Sequence, residues 1–254
     1  MVAPMKRMFS LIVVALTVLA SLVAAAWLPA SALELDRRRM LNAAEHVPWR
    51  AVGRVNIATS RAISMCTGTL IGEDLVLTAA HCVMNPRTGK TYQPSAVHFV
   101  AGWRRGQKVG QSKAAAITIH PDYALSEQLS TERIAADLAL IRLVDPIPRA
   151  TAPFFGLAPA PRPGTPLILI SYRQDRPHAL TRQKGCDIIG IRDAVISLGC
   201  NVTFGASGSP VFVSSGDEMR LVAVIVAMGG DPAYPAAYAV LVDAAIPAVL
   251  AAQE

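Results

Sequence analysis

The sequence is poor in charge, and it lacks the spacings by which cysteine and histidine hold metals. Only 17% of the 254 residues are Asp, Glu, Lys or Arg, against 52% hydrophobic residues, which excludes an intrinsically disordered chain. No CxxC or HxxxH spacing occurs among the four cysteines and five histidines, so no zinc site is predicted and no cofactor is expected. There is no internal repeat, which removes solenoids and arrays from consideration. Beyond the N-terminus no apolar run approaches the length that crosses a bilayer. The length fits one large or two small domains and suffices to bury a core without staples.

What is present begins with an export signal. Lys6 and Arg7 precede a largely apolar stretch from Phe9 to Leu28, which ends in Pro29-Ala30-Ser31-Ala32. This is the basic, apolar and small-residue order of a secretory signal, so residues 1–32 are expected to be removed and the chain to be secreted or periplasmic. The other reading is an uncleaved anchor, since about 20 apolar residues can span a bilayer, and membrane contact is expected only in that case. Removing residues 1–32, with two positive and no negative charges, lowers the net charge from +6 to +4. Residues 33–47, which include the cluster Glu34–Arg39, read as a spacer or short propeptide.

An even number of cysteines in an exported chain predicts disulfides, and Cys66, Cys82, Cys186 and Cys200 allow three pairings. Pairing neighbours, Cys66 with Cys82 and Cys186 with Cys200, would close two loops of about 15 residues or fewer, each worth about 3 kcal/mol in the chain-entropy account.

Between the cysteines the pattern is strand and turn. Runs such as Ala51–Ile57, Leu75–Thr78, Val97–Ala101, Leu138–Leu143, Pro166–Ser171, Arg220–Met228 and Ala237–Leu241 contain many Val, Ile and Thr, with Gly, Pro, Asn or Asp often at the breaks. Many short strands at this spacing predict an all-β barrel or sandwich. Asp145–Pro163, with six prolines, resembles a linker between halves 48–150 and 151–254. The last stretch, Asp243–Glu254, is Ala-rich and predicted helical, with Asp243 as N-cap and Pro247 tolerable only in the first turn.

Three segments carry chemistry. Gly205-Ala-Ser-Gly-Ser-Pro210 is a small-residue turn that exposes the Ser207 hydroxyl and lets backbone N–H groups face a ligand. A serine needs a base, and His81 follows the apolar run Leu75–Ala80 and adjoins Cys82. The base needs a carboxylate to fix its tautomer, and Asp137 precedes the buried-strand sequence Leu138-Ala-Leu-Ile141. Each alone reads as a loop serine, a structural histidine or a capping aspartate.

Together, Cys66-Thr-Gly-Thr-Leu-Ile-Gly72, Leu77-Thr-Ala-Ala-His-Cys82, Asp137-Leu-Ala-Leu-Ile-Arg-Leu143 and Gly205-Ala-Ser-Gly-Ser-Pro210 resemble the trypsin/chymotrypsin family of serine endopeptidases. The order His, Asp, Ser separates this pattern from the subtilisin-like and α/β-hydrolase orders. The Gly-x-Ser-Gly-Ser-Pro form most resembles the bacterial glutamyl-endopeptidase-like branch. The resemblance runs from about Pro48 to Leu250 and implies two antiparallel six-stranded β-barrels with a C-terminal helix. It implies Ser207 as nucleophile, His81 as general base, Asp137 as its orienting partner, and the N–H groups of Gly205 and Ser207 as the oxyanion hole. It also implies that Cys66–Cys82 is the histidine-loop disulfide.

Ala206 stands where trypsin-like zymogens carry an aspartate, so activation by an inserted N-terminus is not expected. With no gap, the resemblance places the base of the primary pocket at Asn201 and its wall at Ile225–Gly229. Neither holds the carboxylate that Lys or Arg would need nor the histidine used for glutamate, so cleavage after neutral or apolar residues is expected. The expected partners are protein or peptide substrates, the protein is expected to be a monomer, and the basic loop Trp103–Lys108 reads as solvated surface, with no nucleic acid. The sequon Asn201-Val-Thr203 sits too near Ser207 for a glycan. The alternative class is a catalytically silent protease-like binding protein, because a fold does not fix a function.

Overall fold

The computed structural model describes residues 38–59, 63–126, 128, 130–230 and 235–253. The predicted signal 1–32 lies outside them, and so do residues 33–37 of the spacer. The described residues from Arg39 onward form one unit by their contacts.

The elements in chain order are β1 (Arg38–Met40), α1 (Ala43–His46), β2 (Val52–Ala58), β3 (Ile63–Leu70), β4 (Leu75–Thr78), β5 (Met84–Asn85), β6 (Lys90–Thr91), β7 (Val97–Ala101) and β8 (Gly110–Ile119). They continue with α2 (Thr131–Ala135), β9 (Ala139–Leu143), β10 (Leu167–Arg173), β11 (Arg176–Lys184), β12 (Ile188–Arg192) and β13 (Val195–Leu198). The chain ends with β14 (Pro210–Ser215), β15 (Glu218–Gly230), β16 (Pro235–Leu241) and α3 (Val242–Ala251).

Six strands close into a barrel in the order β2-β3-β4-β9-β8-β7. Alternation decides what goes inside: on β2, Val55 and Ile57 point into the barrel, while Arg54 and Asn56, which alternate with them, are only partly covered. Phe99, Leu70, Val76 and Ile141 complete that interior. The second half is an eight-stranded sheet, β1-β11-β10-β14-β15-β16-β13-β12. The expected six-stranded closed barrel is found in the first half. In the second, the sheet takes in eight strands, and no hydrogen-bonded pair closes it among the described residues. Leu167, Val211, Val222, Ile225 and Ala239 fill its interior.

A third cluster lies where barrel and sheet meet. Leu77, Leu138 and Leu140 from the barrel pack with Ile170, Tyr172, Phe212, Val224 and Val240 from the sheet. Trp49 and Phe155 add aromatic contacts to Phe212, with ring centroids 5.1 and 4.5 Å away. Helix α3 buries Val242, Ala245, Ile246 and Val249, the i, i+3, i+4, i+7 face that a 3.6-residue period dictates. It packs against β8, β9, β15 and β16.

Two local expectations need correction. The cap position of α3 is Leu241, and Asp243 lies in the first turn, where its carboxylate accepts the Ala160 N–H at 3.0 Å. Pro247 lies inside the helix, past the first turn. It removes one i→i−4 hydrogen bond, and the buried face carries the helix through.

Candidate active site

Each functional side chain sits at the end of a strand. After β4 the chain tightens into a 3-10 turn, Ala80–Val83, which carries His81 and Cys82. Cys82 is bonded to Cys66 on β3, so the turn is tied to the neighbouring strand; the second disulfide joins Cys186 to Cys200. Asp137 follows α2, whose N-cap Ser130 accepts the Arg133 N–H. The Asp137 N–H donates to the Ile134 carbonyl at 3.1 Å, which turns the side chain inward at the start of β9.

There it meets His81 twice. Asp137 Oδ1 accepts the His81 backbone N–H at 2.9 Å, and Oδ2 lies 2.7 Å from His81 Nδ1. The carboxylate is 5% exposed, so both contacts act in a medium that screens them weakly. Burial first, and then the Asp137 charge, push the hydroxyl of nearby Tyr123 up to about 12.

Ser207 lies in the turn before β14. Three hydrogen bonds lock the turn: Ala206 N–H to the Thr203 carbonyl, Ser209 N–H to the Ala206 carbonyl, and Gly208 N–H to the Ile225 carbonyl at 2.7 Å. Gly208 has φ +78°, and a Cβ there would fall 2.0 Å from the Thr67 carbonyl oxygen. The Phe204 carbonyl accepts from Gln174 N–H at 2.8 Å, so the trans peptide aims the Gly205 N–H the opposite way. By the same argument the Ala206 carbonyl, taken by Ser209, turns the Ser207 N–H outward. Neither N–H has a protein acceptor among the described residues.

Two cavities share His81, Phe204 and Ser207. One, about 250 Å3, is walled by Ile225–Met228 and by Val202, Thr203 and Ala206. The other, about 480 Å3, runs past the Cys66–Cys82 disulfide to Met65, Tyr92, Gln174 and Arg54. Asn201 lines neither. Its carbonyl accepts from Arg173 Nη1 at 3.1 Å, and its neighbours Val202 and Thr203 line the smaller cavity. Among the described residues no hydrogen bond joins Ser207 Oγ to His81; such contacts often tighten only around substrate. The cluster Cys66, His81 and Cys82 has metal-ligand proximity, but both sulfurs are already in the disulfide.

Two residues beside Ser207 and its cavities left little mark in the sequence. Thr67, buried in β3, donates from Oγ1 to the Gly205 carbonyl at 2.8 Å and accepts from Tyr172 N–H at 3.0 Å, and its own N–H donates to the Ser207 carbonyl at 2.8 Å. The only sequence signal was its place between Cys66 and Gly68. Arg54 gave no signal beyond a charge in a β run.

A barrel joined to a second antiparallel sheet, with His, Asp and Ser brought to the seam in that order, is the arrangement of chymotrypsin-like serine endopeptidases. The chain belongs to the trypsin-like peptidase family: residues 66–224 match the family described as "Trypsin-like peptidase domain". Comparison with curated proteins gives no match. The fold is similar to that of the protease Anisep from Arthrobacter nicotinovorans, at 16% identity and TM-score 0.64, over 85% of this chain and 100% of that one. It is also similar to a thermostable serine protease, AL20, from an extremophilic microorganism (16%, TM-score 0.65, 82% and 99%). A Glu endopeptidase gives 18% identity and TM-score 0.66, over 85% and 97%.

Proposed function

We propose that this serine endopeptidase works through an acyl-enzyme formed on Ser207, with His81 as general base, and that it cleaves after neutral or apolar residues. The observation that carries the reading is the pair of hydrogen bonds by which a buried Asp137 holds His81 in a cleft shared with Ser207. With Nδ1–H donated to Asp137, Nε2 is left to accept the Ser207 proton as Oγ attacks the scissile carbonyl. The Asp137 charge then stabilises the imidazolium. The Gly205 and Ser207 N–H groups, free of protein acceptors among the described residues, receive the negative oxygen. Losing one such donor typically raises the barrier by about 3–4 kcal/mol. His81 returns the proton to the leaving amine, and water repeats the sequence on the acyl-enzyme.

Substrate preference follows from the smaller cavity. Its lining of Val202, Ala206, Ile225, Val226, Ala227 and Met228 has no Asp, Glu, Lys or Arg, so a charged side chain would be desolvated without a partner. The same lining has no cation beyond the catalytic histidine, which argues against glutamate. Two disulfides fit an oxidising compartment and hence export, and no described helix is long and apolar enough to cross a membrane.

The test is labelling by a fluorophosphonate, comparing the native protein with Ser207→Ala. Labelling confined to the native protein is expected, and no labelling of either moves the weight to a silent binding protein. A peptide-library digest giving mainly Lys/Arg or Asp/Glu cleavage would overturn the specificity. N-terminal sequencing of exported protein decides between cleavage after Ala32 and an anchor.

A further inference from the structure

The larger cavity contains one permanent charge, and nothing in the catalytic scheme uses it. Arg54 lies on β2 directly opposite Thr67 of β3 and Val100 of β7, which puts it on the barrel wall beside the nucleophile turn. Its guanidinium rests over the Trp103 ring at 5.5 Å, and Nη1 donates to the Pro177 carbonyl at a long 3.4 Å. Nε is buried with no hydrogen-bond partner, and Arg54 makes no ion pair among the described residues. The cavity it shares with His81 and Ser207 is lined by no Asp or Glu. A half-buried guanidinium held in place by stacking, with no counter-charge among the described residues, can pair with an anionic group that a substrate brings.

The side of the scissile bond follows from the proposed function, on which this inference rests. If the smaller cavity takes the acyl-side side chain, the cavity past the Cys66–Cys82 disulfide receives the leaving group, beside the histidine that must protonate it. We infer that Arg54 selects substrates with an Asp or Glu among the first few residues after the cut. Phosphate or free carboxylate at the same place shares that chemistry, but a peptide side chain is the occupant that an endopeptidase cleft supplies.

The experiment uses paired quenched-fluorescence peptides with a common apolar acyl side, carrying Glu or Gln at each of the first three leaving-side positions. Rates are normalised to fluorophosphonate-titrated sites. In the native protein the Glu peptide is expected to exceed its Gln partner in kcat/KM by at least about fivefold at one position, with the advantage shrinking as salt rises. Arg54→Met brings the ratio to about one, and Arg54→Glu favours a Lys peptide instead. Each ratio is internal to one protein, so partial misfolding of a variant cancels. Binding of the same pairs to Ser207→Ala, by fluorescence anisotropy, needs no turnover and tests the subsite even if the protein hydrolyses nothing. Equal handling of Glu and Gln in both assays, or a preference that survives Arg54→Met, overturns the inference. Absence of fluorophosphonate labelling counts against the endopeptidase reading alone.

Discussion

Thr67 Oγ1 donates a hydrogen bond to the Gly205 carbonyl oxygen across 2.8 Å and so ties the closed barrel to the turn that carries Ser207, the proposed nucleophile, before the second sheet's β14. The same oxygen accepts the Tyr172 N–H, and Thr67 is fully buried, so both partners depend on it. Thr67→Val keeps the shape and removes the hydroxyl. The unfolding free energy should fall by about 1–3 kcal/mol, the range for a buried polar group left unpaired. Because the released carbonyl borders the proposed oxyanion donors, kcat should fall more than KM rises, and Thr67→Ser should restore most of both. Urea unfolding beside steady-state kinetics checks this; a stability loss with unchanged kcat would make Thr67 a purely structural link.

Asp137→Asn is a sharper test of the proposed triad. The carbonyl of the substituted amide can still accept the His81 backbone N–H, but its NH2 group would present a donor to Nδ1 and favour the wrong tautomer. We expect kcat to fall by about 10³–10⁴ with little change in melting temperature. A loss below about tenfold would remove Asp137 from the mechanism.

How much of this was legible in the sequence varied with physical cause. Strands with strong alternation or continuous apolar runs, such as Leu75–Thr78 and Val97–Ala101, fall where the sequence places them, because burial on one or both faces leaves a periodic mark. Strand β11, Arg-Pro-His-Ala-Leu-Thr-Arg-Gln-Lys, was invisible: only Ala179, Leu180 and Thr181 are buried, and its ends are held by pairing to β10 rather than by apolar side chains. Motif residues His81, Asp137 and Ser207 stood out because each interrupts or ends a run of another kind. Thr67 and Arg54 hydrogen-bond to partners more than 100 positions away, Gly205 and Pro177, which no local pattern reports. Asn201, which a gapless count places at the pocket base, does not line the cavity walled by Ile225–Met228, whereas Val202 and Thr203 do; residue counting alone does not report such a one- or two-residue offset.

Gly208→Ala should be among the most damaging single-methyl changes in the chain. The added carbon would lie 2.0 Å from the Thr67 carbonyl oxygen and 2.2 Å from Thr78 Oγ1, at a φ of +78°. Both neighbours are buried and joined by the Thr78 Oγ1–H bond to the Thr67 carbonyl, so neither can move alone. A loss of more than about 3 kcal/mol is expected by urea titration. A variant within about 1 kcal/mol of the native protein would mean that the turn can shift as a unit.

Acid should loosen the N-terminal segment through His46. Its side chain is buried, and its Nε2 accepts the Leu180 N–H at 3.3 Å. Burial first, then the charges of Arg104 and Arg50, push its pKa from 6.5 down to about 4. The folded protein therefore holds His46 neutral, whereas the unfolded chain takes up the proton near its ordinary pKa. The stability tied to this group is complete above about pH 6.5, drains as pH falls, and is gone below about pH 4, for a total of roughly 3 kcal/mol. Urea titrations of native protein and His46→Gln at pH 7.5, 5.5 and 4.5 separate this from carboxylate titration. The gap between the two proteins should shrink with acid; a constant gap would remove His46 as the cause.

The smaller cavity sets the last expectation, which concerns size rather than charge. Ala227 lines it beside Val226 and Met228, and Val202 and Thr203 border the same space. Ala227 is partly exposed on β15 and lines this cavity, so a larger side chain there has the cavity to enter. Ala227→Phe should then fill space that an apolar substrate side chain would occupy. Discrimination by an apolar pocket amounts to about 1–3 kcal/mol per methylene, so cleavage after Leu, Met or Phe should drop by about tenfold or more relative to cleavage after Ala or Gly. The ratio is read from one peptide-library digest per protein, normalised to fluorophosphonate-titrated sites. If both proteins give the same residue profile, the 250 Å3 cavity is not where the acyl-side side chain binds, and the assignment of the larger cavity to the leaving group loses its basis with it.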